Sequence, residues 1–313
     1  MARKNMQVTH RNKRAEPKAH DYRDVLEKIV PVDSLPPMGS AAIYGTAGSG
    51  KTTLAATWPK PILFIDCNER GTDSVRDIKD TSVIRAQTWQ DVIDVMWGLI
   101  AGDKKLAQFK TIVVDTVSQA QDLAMKHVME EKGKSYDEFN LGANRGKIYQ
   151  ADWGVIGGEM RRFIIPMSDF DKIHATVVFI AHDRTFSGED DETNTGVIAP
   201  QVGPRLMPSV ESTLLGAVSI VGNTFIRETV TKSTVRKKTV RKRQTQYCLR
   251  IGPNAYYKTK IRKPQHIELP EVLVEPSYGK IMALIETSQV GAKPKRKTTN
   301  GKSQVKSRRR QTR

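Results

Sequence analysis

The stretch Gly45-Thr46-Ala47-Gly48-Ser49-Gly50-Lys51-Thr52 decides the fold of this chain. It lies between an apolar segment, Ala41 to Tyr44, and a segment from Thr53 to Trp58, which predict a short buried strand and the start of a helix. The spacing is that of a phosphate-binding loop, G-x-x-x-x-G-K-[ST], and strand-loop-helix is the context that makes the motif meaningful. The alternative is an ordinary Gly/Ser/Thr turn, but such a turn has no use for the Lys-Thr pair. The stretch therefore predicts a protein that binds a nucleoside triphosphate.

Each residue type in this loop serves the binding of phosphate. Glycines allow backbone N–H groups to turn toward a pyrophosphate, and the helix that follows presents its positive end. Lys51 is expected to reach the β- and γ-phosphates, and Thr52 to ligate Mg²⁺. The predicted nucleotide contacts are Gly45, Thr46, Ala47, Gly48, Ser49, Gly50, Lys51, Thr52 and Thr53.

Three further apolar runs are followed directly by polar side chains. Ile62 to Ile65 leads into Asp66, Thr111 to Val114 leads into Asp115, and Ala175 to Ala181 leads into His182. Helical patterns lie between these strands, at 88–101, 118–132 and 159–173, and the later segments 214–226, 247–251 and 256–261 are predicted as strands. The pattern predicts an α/β fold with a mainly parallel, doubly wound sheet and an antiparallel extension.

Composition divides the chain into three parts. Residues 1–38 are predicted to be a basic N-terminal arm with a short helix at 21–30, residues 39–290 the folded core, and residues 291–313 a disordered basic tail. Within the core, the segments 133–158 and 185–207 lack periodicity and are predicted as long loops, which in a compact domain are usually functional or disordered.

The net charge of +17 is concentrated in three strips. Residues 1–20 carry +5, residues 293–313 carry +10, and the run from Lys232 to Arg243 has seven basic residues and no acidic one. Such blocks are usually disordered arms or solvated loops that bind polyanions, most often nucleic acid and less often anionic membrane. A solubilising or targeting tail remains an alternative for the C-terminal strip, and the run from Lys232 to Arg243 is predicted to be a connection between strands.

Cysteine content and hydropathy indicate the expected location of the protein in the cell. Cys67 and Cys248 each lie in an apolar run and suggest neither a disulfide framework nor a metal site, so a reducing, cytoplasmic location is expected. No apolar segment is long enough to span a membrane or to serve as a signal peptide, and we expect no membrane association.

The polar residues at the strand ends are the candidates for catalysis. Asp115 is predicted to hold Mg²⁺ or its water, with capping of the following helix as the alternative. Glu69 is the predicted general base that activates the attacking water. Two alternatives remain open: Asp66 is the base, or Glu69 is only a surface carboxylate. His182 is predicted to donate a hydrogen bond to the γ-phosphate; otherwise it is a half-buried polar residue at a strand end.

Several cations and aromatic side chains are candidates for binding nucleic acid. Phosphate contacts of this kind give salt-dependent affinity without sequence preference, and aromatic rings stack on single-stranded bases. Trp153 lies in the first long loop and is either such a ring or part of the core. The predicted cationic contacts include Arg184, Arg205, Lys237, Lys238 and Arg241.

The order of these motifs resembles the core of the RecA/RadA recombinases, and most closely the short, phage-encoded RecA-like ATPases of single-strand annealing and recombination. The resemblance covers roughly residues 39–264. Thr111 to Val117 is similar to the strand that binds Mg²⁺ in that family, and Phe64 to Asp66 to the strand before its catalytic Glu, although strict spacing puts Asn68 at that position and Glu69 one residue later. His182 stands where the family has a Gln that senses the γ-phosphate.

The resemblance implies a RecA-like P-loop ATPase that uses ATP and Mg²⁺. The segments 133–158 and 185–207 correspond to the two DNA-binding loops. Tyr257 to Pro264 is similar to a stretch that inserts two lysines toward the ATP of a neighbouring subunit, which makes Lys258 and Lys260 candidates for catalysis in trans; read alone, this stretch is a basic edge strand. A homo-oligomer with ATP at subunit interfaces is implied, as a ring or a filament.

Together with this resemblance, the sequence predicts a DNA-dependent ATPase that binds single-stranded DNA and acts in recombination or annealing, with a single-strand DNA-binding protein as a further partner. Two alternatives use the same core: a helicase-like or loader motor, and a nucleotide-dependent switch that binds nucleic acid but hydrolyses little. A small-molecule kinase is disfavoured, because nothing in the sequence suggests a lid or an acceptor pocket.

Overall fold

The computed structural model of the chain describes residues 26–31, 39–133, 148–186, 200–235, 238–263 and 267–286, with the backbone alone at 231–242 and 286. The chain divides into two units, Met1–Pro37 and Met38–Arg313. In the first, the described residues form a single turn, in which Ile29 N–H donates to Leu26 O. The rest of the predicted arm and the predicted tail lie outside the described residues.

Among the described residues, the second unit contains seven α-helices, one short 3-10 helix (Gly71–Val75) and eleven strands. The strands are β1 (Ala41–Gly45), β2 (Ile62–Asp66), β3 (Thr81–Arg85), β4 (Thr111–Asp115), β5 (Thr176–Ala181), β6 (Asp183–Phe186), β7 (Gln201–Pro204), β8 (Ile220–Val235), β9 (Lys238–Arg250), β10 (Lys260–Ile261) and β11 (Val272–Val274). The helices are α1 (Lys51–Ala55), α2 (Trp89–Ile100), α3 (Val117–Glu131), α4 (Gln150–Met167), α5 (Phe170–Ile173), α6 (Pro208–Ala217) and α7 (Tyr278–Glu286).

Nine strands form one sheet in the order β11-β9-β8-β1-β5-β4-β2-β3, with β10 paired to β8. The pairs from β8 through β1, β5, β4 and β2 to β3 are all parallel. The pairs β8–β9, β9–β11 and β10–β8 are antiparallel. The predicted α/β class, a mainly parallel sheet with an antiparallel extension, is confirmed.

Alternate residues of the central strands supply two apolar layers, one on each face of the sheet. On one face Tyr44 and Phe179 pack against α2, α3, α4 and α6. On the other face Ile43 and Phe64 pack against α1 and α7. The carboxyl ends of β1, β2, β4 and β5 thereby meet at one edge, where an open parallel sheet places its ligand site.

The first predicted loop, 133–158, is partly helical, because α4 begins at Gln150 and not near residue 159. Asp152 accepts a hydrogen bond from the backbone N–H of Tyr149 and so caps this helix. The buried face of Ile156, Met160 and Phe163 stabilises α4 despite three glycines of low helix propensity. Residues 134–147 lie outside the described part.

The second predicted loop, 185–207, includes the antiparallel pair β6–β7, and residues 187–199 between these strands lie outside the described part. The predicted strand 214–226 is wrong at its start, because residues 214–217 form the end of α6 and the strand begins at Ile220. Pro208 occupies the first turn of this helix, where the absence of its N–H costs nothing.

The basic run from Lys232 to Arg243 also differs from the predicted connection. Strands β8 and β9 continue as a paired ribbon until Val235 faces Lys238. In contrast, the strand predicted at 256–261 is reduced to Lys260–Ile261. Among the described residues, no helix combines the length and the apolar composition that crossing a membrane requires.

Candidate functional site

The predicted phosphate loop connects the end of β1 to the start of α1. A Cβ atom on Gly45 would lie 2.4 Å from Thr224 O, so only glycine permits this approach of the loop to β8. Gly50 has a φ of +84°, a left-handed conformation that favours glycine, at the residue before α1. The Ser49 hydroxyl bonds to Thr46 O and to the Thr224 hydroxyl, both at 2.7 Å, and holds the loop in shape.

Lys51 is folded over this loop. Its Nζ donates hydrogen bonds to Gly45 O at 2.9 Å and to Thr46 O at 2.8 Å. Burial lowers the pKa of Lys51 from its usual value, and the negative charges of Asp115, Asp183 and Glu69 oppose that effect in part. The ammonium group is therefore a buried cation beside the loop's backbone, where a phosphate chain would be held.

Thr52 and Asp115 form the candidate magnesium site. The Thr52 hydroxyl donates to Asp115 Oδ2 at 2.9 Å. Burial raises the pKa of Asp115 to about 6, and the nearby carboxylates of Glu69 and Asp66 add to this effect. A buried carboxyl group that is costly to ionise without a nearby cation, and that lies beside a hydroxyl, is suited to bind a hard divalent cation.

Within the described part of the chain, no group of three or more His, Cys, Asp or Glu side chains converges as a metal site. Two oxygen ligands from the protein match Mg²⁺ better than a transition metal, because Mg²⁺ usually takes its other ligands from water and substrate phosphates. When bound, the ion would neutralise charge on the phosphates.

Glu69 and His182 contact each other although they are 113 residues apart in sequence. His182 Nε2 lies 2.8 Å from Glu69 Oε1, and the Thr116 hydroxyl donates to the same oxygen at 3.3 Å. Burial alone would raise the pKa of Glu69, but the hydrogen bonds from His182, Gln119 and Thr116 outweigh it and the pKa is lowered. Glu69 is thus a half-buried carboxylate held in a fixed position.

Asp66, the alternative base, has a different environment. Its Oδ1 accepts the backbone N–H groups of Glu69 and Arg70 at 3.0 and 3.1 Å, and its side chain is buried. Asp66 therefore shapes the turn that carries Glu69. This geometry favours Glu69 over Asp66 as the residue that faces a ligand.

These groups share one cavity of about 550 Å³. Lys51, Thr52, Glu69, Asp115 and His182 line it, together with most of the phosphate loop. The structure therefore brings together the predicted contacts from β1, β2, β4 and β5.

Of the predicted catalytic residues, Lys258 and Lys260 do not line this cavity. Lys258 Nζ donates to Glu211 Oε2 at 2.7 Å. Lys260 Nζ donates to the carbonyls of Leu215 and Gly216 in the last turn of α6. Both lysines are bound to α6 of their own chain, and their role toward a neighbouring subunit stays a prediction.

Arg184 and Arg205, two of the predicted nucleic-acid contacts, line a second cavity of about 400 Å³. Trp153 and Gln121 lie in the same wall, and Trp153 is 39% exposed, so this ring is not a core residue. Lys237 lies outside the described residues, and so do the side chains of Lys238 and Arg241, whose backbone is in β9.

Sequence reasoning missed nine residues that line the first cavity: Leu54, Thr57, Gly71, Ser74, Thr116, Thr224, Tyr247, Glu275 and Pro276. Thr116 was detectable, because it directly follows Asp115. Thr224, Tyr247 and Glu275 come from the antiparallel extension, and their distance in sequence from the loop leaves no local signal.

Comparison with known proteins supports this assignment of the loop and strands. A family model described as an AAA domain matches residues 39–262, from just before β1 to just after β10. No curated protein matches the chain. The family is one of P-loop ATPases; the finer resemblance to recombination ATPases remains a prediction. Over residues 39–262, the chain belongs to the AAA domain family.

Proposed function

We propose that this protein is an ATPase whose turnover is controlled by single-stranded DNA. One observation carries the proposal: the Glu69–His182 pair in the nucleotide cavity is joined through the backbone to Arg184 in β6 and to Arg205, the residue that follows β7. Membership of a P-loop ATPase family supports the nucleotide half of this proposal.

In the hydrolytic step, Glu69 is the group that accepts a proton from the attacking water. Its lowered pKa keeps it ionised at neutral pH. Thr52 and Asp115 would hold Mg²⁺ on the phosphates, and Lys51 would balance their negative charge. His182, bonded to the same oxygen of Glu69 that would take the proton, controls whether that oxygen is available.

The connection from His182 to the second cavity is short. Arg205 N–H donates to His182 O at 2.7 Å, and Asp183, the next residue, faces Pro204 in the β6–β7 pair. The backbone N–H of His182 in turn donates to the Ser118 hydroxyl on α3. A shift of β6 and β7 on ligand binding would therefore move His182 relative to Glu69.

The second cavity has the chemistry of a single-strand site. Arg184 and Arg205 supply positive charge for phosphates, and the exposed ring of Trp153 supplies a surface for an unpaired base. Asp122 lies 3.6 Å from the Arg205 guanidinium and fixes it to α3. Duplex DNA would not offer a free base to Trp153, so single strands are the expected ligand.

The resemblance to annealing and recombination ATPases supports a biological use in those processes. It also supports assembly into a homo-oligomer with ATP between subunits, acting with a single-strand DNA-binding protein. A switch with little hydrolysis remains the second candidate, because the Glu69–His182 contact occupies the oxygen that a base needs.

The test is the rate of ATP hydrolysis by the full chain with and without oligo-dT, with duplex DNA and oligo-rU as comparisons. We expect oligo-dT to stimulate the wild-type protein, and Arg184→Gln and Trp153→Ala to reduce that stimulation while leaving the basal rate unchanged. Arg162→Gln removes one charge from an exposed position on α4 and is the matched control. The proposal would be overturned if oligo-dT left the wild-type rate of hydrolysis unchanged. It would also be overturned if oligo-dT stimulated both Arg184→Gln and Trp153→Ala as much as the wild type.

A further inference from the structure

The nucleotide cavity has two chemically different ends. The sheet order places β5, β4 and β2 on one side of β1, and β8 and β9 on the other. The first side contributes Glu69, Asp115 and His182 to the cavity, and the second side contributes Thr224 and Tyr247. Because the phosphate loop starts at the end of β1, a triphosphate that points its last phosphate toward the acids extends its nucleoside toward β9.

Tyr247 lies directly against the phosphate loop. A Cβ atom placed on Gly50 would be 3.0 Å from Tyr247 Cδ1, so the ring edge touches the loop at the residue before α1. The side chain is nevertheless 43% exposed. A large aromatic ring that borders a phosphate site and keeps much of its surface open is a platform on which a nucleobase can stack.

The neighbouring wall is tied to Tyr247. Glu275 N–H donates to Tyr247 O at 2.8 Å, and Tyr247 N–H donates to Glu275 Oε1 at 3.1 Å. Just beyond, Tyr278 N–H donates to the Thr57 hydroxyl at 2.8 Å, in the segment that follows α1. The wall is therefore fixed on one side to β9 and on the other to the end of the loop-helix unit.

The backbone conformation of Glu275 also supports a ligand-binding role for this wall. Its φ is +46°, in the left-handed region that costs a non-glycine residue free energy. The conformation directs the chain from β11 into Pro276, whose ring also lines the cavity. Strain of this kind persists where the surrounding bonds impose it, and it clusters at ligand sites.

We propose that Tyr247, with Pro276 beside it, forms the base-binding end of the nucleotide site, on which the base of the nucleoside triphosphate stacks. The inference rests on the nucleotide-binding half of the proposed function and adds the contacts that distinguish a nucleotide from a bare phosphate chain. Because Tyr247 is in β9, the base would also lie next to the paired strands β8 and β9, which contain the basic run.

The test compares two ligands that differ in having a nucleoside. The affinities of the full chain for ATP and for inorganic tripolyphosphate, each with Mg²⁺, are measured by calorimetry. We expect Tyr247→Ala to weaken ATP binding roughly 5- to 150-fold, the range of one lost base–aromatic stack, while leaving tripolyphosphate binding unchanged. Tyr247→Phe keeps the ring and should bind ATP as the wild type does.

Ile226→Ala is the matched control, because Ile226 faces Tyr247 across the ribbon and is 45% exposed but does not line the cavity. Unchanged ATP affinity in Tyr247→Ala, or an equal loss for both ligands, would overturn the base-stacking proposal. If DNA did not stimulate hydrolysis, the proposed function would be refuted but the base-stacking proposal would be unaffected. Absence of ATP binding by the wild-type chain would refute both.

Discussion

Among single residues, Glu69 has the environment that a general base needs. It is half-buried, ionised and held by His182 and Thr116 at the edge of the nucleotide cavity. Glu69→Gln preserves the shape and removes the carboxylate. We expect ATP binding to persist while turnover falls at least ~10²-fold, the lower end of what general-base catalysis contributes. Binding titrations and steady-state hydrolysis assays measure the two effects separately.

Asp66→Asn is the informative comparison for that prediction. Asp66 accepts two backbone N–H groups of the turn, so the substitution should lower the melting temperature more than Glu69→Gln does. If instead Asp66→Asn is stable, binds ATP and is inactive while Glu69→Gln hydrolyses normally, the base has been assigned to the wrong residue.

The raised pKa of Asp115 predicts how stability depends on pH. Because the folded-state pKa of about 6 exceeds the ordinary value of 3.8, ionisation of Asp115 costs the folded state free energy. The favourable contribution is complete below about pH 4 and is lost as the pH rises through about 6. Asp115→Asn should therefore stabilise the nucleotide-free protein near neutral pH, by on the order of 1–3 kcal/mol.

Thermal unfolding between pH 4 and pH 7.5 checks this prediction. The difference between variant and wild type should shrink as the pH falls, because the wild-type carboxyl becomes neutral as well. Asp77→Asn changes an exposed carboxylate and is the control. A difference in stability that is constant with pH would contradict the assignment.

At the scale of elements, an ion pair joins the segment before β10 to α6. Glu211 is 4% exposed, and among the described buried atoms its Oε1 has no hydrogen-bond partner. Lys258→Ala would leave this carboxylate unpaired. We expect a loss of about 1–3 kcal/mol in the free energy of unfolding, less than for a fully buried pair because Lys258 is partly exposed. Denaturant titration measures the loss.

Two further variants separate this structural role from catalysis. Adding Glu211→Gln to Lys258→Ala removes the unpaired charge and should restore part of the stability, whereas Lys172→Ala breaks an exposed pair with Asp169 and should cost little. We also expect Lys258→Ala to lose DNA-stimulated hydrolysis. If the double variant regains that hydrolysis, Lys258 acts through stability. If it stays inactive but regains activity when mixed with Glu69→Gln, Lys258 acts in trans.

At the scale of the whole molecule, the charged tail should be separable from the ATPase. Residues 293–313 carry ten positive charges and no acidic residue. Their removal should leave unfolding and basal hydrolysis unchanged, weaken DNA binding, and flatten the dependence of log affinity on log salt by ~0.7 for each lost contact with a single strand.

A chain in which Gln replaces every Lys and Arg of the tail controls for length. ATP-dependent binding should survive in both variants, because we place it at the second cavity. Residual DNA binding that is indifferent to ATP would mean that the tail is the whole nucleic-acid site.

Much of the fold could be predicted because its signals are local. The phosphate loop specifies a strand, a turn and a helix within one short stretch, and apolar runs that end in Asp66, Asp115 and His182 identify buried parallel strands. The errors lie where packing overrides propensity. Helix α4 forms despite its three glycines because Ile156, Met160 and Phe163 on one of its faces are fully buried. The ribbon of β8 and β9 continues through the basic run, where charge alone suggested a loop.

The sequence by itself determined that this protein has a phosphate loop, a central parallel sheet and an acid at the end of β4, because each depends on neighbouring residues. Only the tertiary structure decided which side chains share the cavity. It joined Glu69 to His182, assigned Asp66 to the backbone of a turn, and brought Tyr247 against Gly50. These contacts depend on strand order and register, which arise from burying both faces of the sheet together and leave no trace in any local pattern.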